Sequence, residues 1–117
     1  MNLMYHSTRD SSIQVTASQA ILQGLSPDGG LFVPTSFPKL VTPLDELANM
    51  NYREIAYEVL KLYLTDYTEE ELKDCINKAY DQKFDTPDIA PLKKVGQLHY
   101  LELFHGATIA FKDMALS

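Results

Sequence analysis

Residues 101–113 read Leu-Glu-Leu-Phe-His-Gly-Ala-Thr-Ile-Ala-Phe-Lys-Asp, a run that passes from apolar residues through a glycine to a lysine. Its apolar beginning predicts a buried strand, which Gly106 interrupts. Thr108 can cap a following helix, in which Lys112 stands beside Asp113 among apolar residues. The stretch therefore predicts a strand, a loop and a helix that together present one lysine.

The chemistry of Lys112 depends on whether its amine stays charged. Four apolar neighbours would remove water from its ammonium, namely Ile109, Ala110, Phe111 and Met114. The positive end of a helix beginning near Thr108 would also disfavour the charge. A partly neutral amine can form a Schiff base with an aldehyde cofactor. The alternative is a solvated lysine paired with Asp113, and residue chemistry alone favours it because most lysines are exposed.

A second informative stretch lies near the N-terminus. Ser7-Thr8-Arg9 is followed by residues 20–34, which read Ala-Ile-Leu-Gln-Gly-Leu-Ser-Pro-Asp-Gly-Gly-Leu-Phe-Val-Pro. The run from Ser26 to Gly30 predicts a turn, because proline presets one dihedral angle and the glycines allow positive φ. A phosphate-binding loop would need a helix directly after the glycines, whereas residues 31–33 predict a short strand.

The two stretches, in this order, resemble the signatures of the threonine synthases, which are pyridoxal-phosphate enzymes of the tryptophan-synthase-β-like fold type. The resemblance covers nearly the whole chain and is weakest between Lys39 and Leu98. Two positions depart from the family pattern, since Ala107 stands where proline is common and Asp10 where glycine is frequent. Loss of the proline frees one backbone φ before the lysine. Neither departure removes a group that performs chemistry.

The resemblance implies a specific activity for the parent enzyme. Threonine synthases convert O-phospho-L-homoserine and water to L-threonine and phosphate. The lysine that matches Lys112 carries pyridoxal 5'-phosphate as a Schiff base and acts in catalysis. Thr108 and Phe111 are further candidate contacts to the cofactor, with helix capping as the alternative for Thr108. Two other functions stay open: a threonine-synthase-like lyase or phosphatase acting on a related phosphorylated substrate, and a non-catalytic packing or assembly domain.

The resemblance also implies that the chain is the N-terminal part of a longer enzyme. We expect residues 1–98 to form the N-terminal domain and residues 99–117 to begin a truncated pyridoxal-phosphate domain. In the family, the loop that holds the cofactor phosphate lies further downstream. We therefore expect this chain alone to bind no cofactor and to be inactive. Its apolar end, residues 109–116, favours self-association.

Composition restricts the partners. The formal net charge is −6 and the basic residues are scattered, which argues against a nucleic-acid surface. No apolar run is long enough to span a membrane and the first residues do not resemble a signal peptide, so we expect a cytoplasmic protein. The single cysteine, Cys75, excludes an internal disulfide and is predicted to lie partly buried on a helix. His6, His99 and His105 are not spaced as metal ligands.

The remaining pattern predicts an α+β fold. Capping-box patterns predict helix starts at Thr16, Asn51 and Thr68. Thr42-Pro43 predicts another start, with Thr42 as the cap. Gly96-Gln97 predicts a two-residue turn between two strands, 92–95 and 98–104. We expect several helices packed on one small mixed or antiparallel sheet, formed by N-terminal strands and a C-terminal hairpin.

Three polar residues near the two stretches have open roles. His105 can orient substrate or satisfy a backbone carbonyl in the loop, and we favour the structural role because a lone histidine rarely proves to be a catalyst. Asp113 would point away from Lys112 on a helix, so we expect it to cap or brace the turn. Arg9 either contacts an anion or lies on the surface.

Overall fold

A computed structural model describes residues 1–116 of the chain, and it confirms the α+β class. Helices and strands follow one another in the order β1 (Tyr5–Ser7), β2 (Gln14–Val15), α1 (Ala17–Gln23), β3 (Phe32–Pro34), α2 (Leu44–Leu47), α3 (Tyr52–Tyr63), α4 (Glu69–Ala79), β4 (Leu92–Val95), β5 (Leu98–Leu101) and α5 (Asp113–Leu116). Within the described range, no helix is long and apolar enough to cross a membrane.

The strands form two separate antiparallel sheets. One has the order β2-β1-β3 and the other consists of β4 and β5. The prediction of a single sheet containing both sets of strands is therefore wrong. The N-terminal strands pair with one another, with Tyr5 opposite both Val15 and Pro34, while β4 and β5 pair across a two-residue turn. Strands β1 and β2 and strands β4 and β5 are sequence neighbours, whereas β3 returns to β1 after α1.

Three helices begin where their capping boxes predict. In α1, α3 and α4 the side chain of the N-cap residue, Thr16, Asn51 or Thr68, accepts a hydrogen bond from the backbone N–H three positions on. The Gln or Glu at that third position reaches back to the N-cap N–H in each helix. Both hydrogen bonds satisfy donors that a helix start would otherwise leave unpaired.

Two local predictions on the helices are wrong. Thr42 does not cap α2, because Pro43 takes the N-cap position without a side-chain hydrogen bond. The Thr42 hydroxyl instead donates to the Glu58 carboxylate in α3. Cys75 is exposed rather than partly buried, because Leu72 and Ile76 face the interior and Cys75 lies outside their stripe on α4.

The α3–α4 junction joins the helices to the N-terminal sheet. The Tyr5 hydroxyl donates to the Tyr63 carbonyl at 2.9 Å, and the Leu3 N–H donates to the Thr65 hydroxyl at 2.8 Å. The Asp66 carboxylate accepts hydrogen bonds from the backbone N–H and the hydroxyl of Ser18 in α1. Polar contacts of this kind hold the sheet, α1 and the helical pair in one arrangement.

Candidate active-site segment

The lysine lies in an irregular segment between β5 and α5, which we call the lysine segment (residues 102–116). Strand β5 ends at Leu101, earlier than the predicted residue 104, and α5 begins at Asp113 rather than near Thr108. The carbonyl of Lys112 accepts hydrogen bonds from the N–H groups of Ala115 and Leu116. Lys112 therefore stands at the start of the helix instead of inside its first turn.

A side chain rather than a helix closes the loop before Lys112. The Asp113 carboxylate accepts hydrogen bonds from the Thr108 N–H at 2.9 Å and the Thr108 hydroxyl at 2.8 Å. Thr108 is thus a donor to Asp113 and not the helix cap, and the prediction that Asp113 braces the turn is confirmed. The hydrogen bond from the Thr108 hydroxyl is the largest cause that holds the pKa of Asp113 below its ordinary value. Burial opposes this shift, whereas backbone donors and the Lys112 charge add to it.

Gly106 lies against Asp113 so closely that no other residue fits. A Cβ atom on Gly106 would lie 2.5 Å from the Asp113 Cβ and 2.6 Å from one carboxylate oxygen. The nearest of these atoms belongs to the stem of the side chain, which cannot rotate away from the glycine. Glycine at this position therefore permits the close approach that brings Asp113 to Thr108.

Backbone strain accompanies the closed loop. Ile109 has φ of 59°, which lies in the left-handed region that β-branched residues avoid. Its side chain is 74% exposed, so burial of the side chain does not compensate for the strain. The Ile109 N–H donates to the Gly106 carbonyl at 3.1 Å. The loop is therefore held by hydrogen bonds and by the Gly106–Asp113 contact.

The apolar neighbours of Lys112 do not desolvate it in this chain. Lys112 is exposed, and so are Ile109 and Phe111, the latter to 75%. The ammonium of Lys112 makes no ion pair with any other residue in the range 1–116. The amine is therefore accessible, as residue chemistry alone favoured, and the apolar enclosure is not formed within residues 1–116. Phe111 beside it is likewise open to solvent.

His105 lies between two carboxylates at the beginning of the lysine segment. Its Nδ1 is 2.5 Å from Asp85 Oδ1 and its Nε2 is 3.0 Å from Glu102 Oε1. Glu102 first, and then Asp85, raise the pKa of His105 above its ordinary value. The ring contacts two carboxylates instead of the predicted backbone carbonyl, and the choice between a structural and a substrate-orienting role stays a prediction. Glu102 is near His105 in sequence, whereas no sequence pattern indicated a contact between His105 and Asp85.

Tyr80 contacts the far end of the lysine segment. Its hydroxyl donates to the Met114 carbonyl at 2.8 Å. Its ring meets Tyr52 edge-on with centroids 4.9 Å apart, and Phe84 at 5.9 Å. Burial, together with the neighbouring Tyr80, raises the pKa of Tyr52 to about 12. No sequence pattern indicated the hydrogen bond between Tyr80 and Met114.

The N-terminal stretches meet each other in space. The Ser7 hydroxyl, in β1, donates to the Asp28 carboxylate at 2.8 Å, and the Arg9 guanidinium donates to the Asp28 carbonyl at 2.9 Å. Hydrogen bonds from the Gly30 N–H and, to a smaller extent, from the Ser7 hydroxyl keep the pKa of Asp28 below its ordinary value. Gly29 has φ of 80°, which confirms the turn. The interaction of Arg9 with an anion stays a prediction.

The fold and the lysine segment together define a small α+β domain that leads into a lysine-bearing loop. A family model described as threonine synthase N terminus matches residues 4–80, which is most of the chain. The chain belongs to this family.

The similarity continues beyond residue 80. A threonine synthase of Eremothecium gossypii is 40% identical over 126 residues, covering 99% of this chain and 24% of that protein. The crystal structure of threonine synthase from yeast matches 98% of the chain and 24% of its own with a TM-score of 0.88 at 35% identity. A pyridoxal-phosphate-bound threonine synthase structure from Brucella melitensis matches 96% of the chain and 25% of its own with a TM-score of 0.82 at 31% identity. The chain spans about a quarter of the length of these relatives.

Proposed function

We propose that the chain is the N-terminal part of a threonine synthase, which converts O-phospho-L-homoserine and water to L-threonine and phosphate. The observation that carries the proposal is the accessible Lys112 amine on a braced loop, in a chain similar over nearly its whole length to a threonine synthase. A pyridoxal-phosphate enzyme needs one lysine whose amine can reach an aldehyde. No described residue favours the two alternative functions.

The residues present fit pyridoxal phosphate at one point. Lys112 is exposed and its ammonium has no ion-pair partner within residues 1–116, so its amine can hold the cofactor covalently. When bound, the cofactor supplies an electron sink for negative charge on the substrate. The Lys112 amine would also move protons at the substrate carbons.

Thr108 and Phe111 are the further proposed cofactor contacts. Phe111 is the stronger of the two, because its ring is exposed next to Lys112 and can cover an aromatic cofactor. Thr108 is weaker, because its hydroxyl proton is already donated to Asp113. Asp113 itself acts on the loop and not on the substrate.

The domain division stays a proposal, with residues 1–98 as the N-terminal domain and 99–117 as the start of the catalytic domain. This boundary falls within β5, which pairs with β4 through the register Leu92 to Leu101. We further propose that the chain alone is inactive, binds no pyridoxal phosphate and self-associates through its exposed apolar end. The cytoplasmic location and the lack of nucleic-acid and membrane partners stay predictions from the sequence.

The test uses the complete polypeptide with added pyridoxal phosphate and O-phosphohomoserine. We expect equimolar phosphate and threonine, and loss of both products and of bound cofactor in Lys112→Ala. The matched control is Lys39→Ala, which removes another exposed lysine and should keep full activity. Cofactor binding without threonine formation would favour the related lyase or phosphatase. A polypeptide that binds no cofactor would refute the enzymatic proposal and favour the packing domain.

A further inference from the structure

The connector that follows α4, residues 80–91, contacts the lysine segment at its beginning. Asp85 makes two contacts with His105, since its carboxylate meets Nδ1 at 2.5 Å and its N–H donates to the His105 carbonyl at 3.0 Å. The Glu102 N–H donates to the carbonyl of Pro91 at 3.0 Å. These hydrogen bonds fix the point at which the chain leaves β5.

The same connector contacts the segment again beyond Lys112. Tyr80, its first residue, donates its hydroxyl proton to the Met114 carbonyl at 2.8 Å. The Tyr80 ring is itself held between Tyr52 of α3 and Phe84. The hydrogen bond therefore ties the helix that follows Lys112 to the helical core rather than to a mobile side chain.

Between these two contacts, side chains next to the Lys112 amine are open to solvent. Ile109 and Phe111 are exposed to 74% and 75%, and Lys112 is exposed as well. The hydrogen bonds between Asp113 and Thr108 close the loop internally but do not connect it to the rest of the domain. The backbone that carries Lys112 is connected to the rest of the domain at these two contacts.

We propose that His105 and Tyr80 are positioning residues for Lys112, which hold the two ends of the lysine segment to the connector after α4. The expected effect of His105 and Tyr80 on turnover rests on the proposed function. Their effect on the backbone of the lysine segment does not. The Tyr80 hydroxyl binds the Met114 carbonyl, and Asp85 binds both the ring and the carbonyl of His105, so both residues act through the backbone that carries the lysine. The two contacts lie in the same short connector, so a movement of this connector displaces both ends of the segment together.

The two contacts differ in their response to pH. A protonated His105 donates to both Asp85 and Glu102, the two charged groups that face it, whereas a neutral ring has one N–H and must lose one of these bonds. The contact at the beginning of the segment therefore weakens as pH rises and His105 loses its proton. The contact at the far end joins the Tyr80 hydroxyl to the Met114 backbone carbonyl and involves no histidine.

The first test measures backbone amide exchange in this chain by mass spectrometry. We expect His105→Gln to speed exchange in residues 104–110, and Tyr80→Phe to speed it in residues 112–116, each by about threefold to tenfold, as loss of one hydrogen bond predicts. The matched controls are His99→Gln and Tyr100→Phe, which alter exposed residues of the hairpin. Both controls should leave the lysine segment unchanged.

Rising pH should loosen residues 104–110 in the wild type, after correction for intrinsic exchange, but not in His105→Gln. Uniformly faster exchange in α3 and α4 would overturn the inference, because it would show a general loss of stability. Unchanged exchange in the lysine segment would overturn it equally.

The second test separates the inference from the proposed function. In the complete polypeptide, His105→Gln and Tyr80→Phe should lower kcat several-fold with little change in KM, while the two controls should match the wild type. If the wild type makes no threonine while the exchange pattern holds, the proposed function fails and the positioning of the segment stands. If turnover is normal in both variants, the residues do not position Lys112 and the inference fails.

Discussion

Gly106→Ala tests the closed loop before Lys112 most directly. The added Cβ would lie 2.5 Å from the Asp113 Cβ, 2.6 Å from a carboxylate oxygen and 2.8 Å from Cγ. Carbon atoms normally touch at about 3.5–4.0 Å, so the overlap with the Asp113 Cβ is about 1 Å. The φ of Gly106 does not lie in the left-handed region, so the clash alone determines the cost.

The expected cost is about 1–3 kcal/mol, the usual range for a methyl group inserted where no space exists. Urea unfolding followed by circular dichroism should show a midpoint lower by roughly 1 M at an unchanged slope. If the loop opens instead, the loss of global stability is limited to the free energy that closes the loop. Exchange at the Thr108 amide, which donates to Asp113, then reports the opening.

Two further variants test whether the clash with Asp113 causes the loss of stability in Gly106→Ala. Gly96→Ala meets no atom within 4 Å but has φ of 62°, so it should cost about 1 kcal/mol through backbone strain whatever residue 113 is. In the background of Asp113→Gly, which removes the clashing Cβ, Gly106→Ala should cost less than about 0.5 kcal/mol. An equal cost in both backgrounds would refute the close contact between Gly106 and Asp113.

Three other predictions follow from the geometry. Thr68→Ala removes the capping box of α4 and should lower the free energy of unfolding by about 1 kcal/mol, measured in urea; no change would contradict the cap. Ile109→Asn should raise the free energy of unfolding by roughly 0.5–1 kcal/mol, because asparagine tolerates the left-handed region. A loss of stability would contradict the strain at Ile109. His105 has a raised pKa when folded, so its stabilising contribution is complete below the ordinary histidine pKa, about 6.5, and is lost as pH rises through the raised value. An NMR titration of the ring should show Asp85→Asn lowering that pKa, and an unchanged value would exclude the Asp85 contact.

Local features of the fold could be predicted because their partners are near in sequence. The capping boxes of α1, α3 and α4 join positions three residues apart, and the hairpin of β4 and β5 closes over two residues. Such interactions depend on few dihedral angles, so residue types at fixed spacing specify them. Strand β2 was missed because two residues are too short to show a period.

The structure of the loop before Lys112 could not be predicted from neighbouring residue types alone. Thr108 has the residue type of a helix cap, but its donors are used by Asp113, five positions later, and the helix starts there instead. The apolar neighbours of Lys112 suggested burial, yet Ile109 and Phe111 remain exposed to solvent. Residue type shows what a side chain can do, whereas its surroundings depend on what packs against it.

Short-range spacing and residue chemistry were sufficient for the break at Gly106, the starts of α1, α3 and α4 and the terminal hairpin, whereas the role of Lys112 was indicated by the family resemblance. Three contacts are visible only in the folded chain, namely Ser7 with Asp28, His105 with Asp85 and Tyr80 with Met114. These pairs are separated by 21, 20 and 34 positions. No periodic pattern joins residues at such separations, since their meeting depends on the path of the whole chain between them.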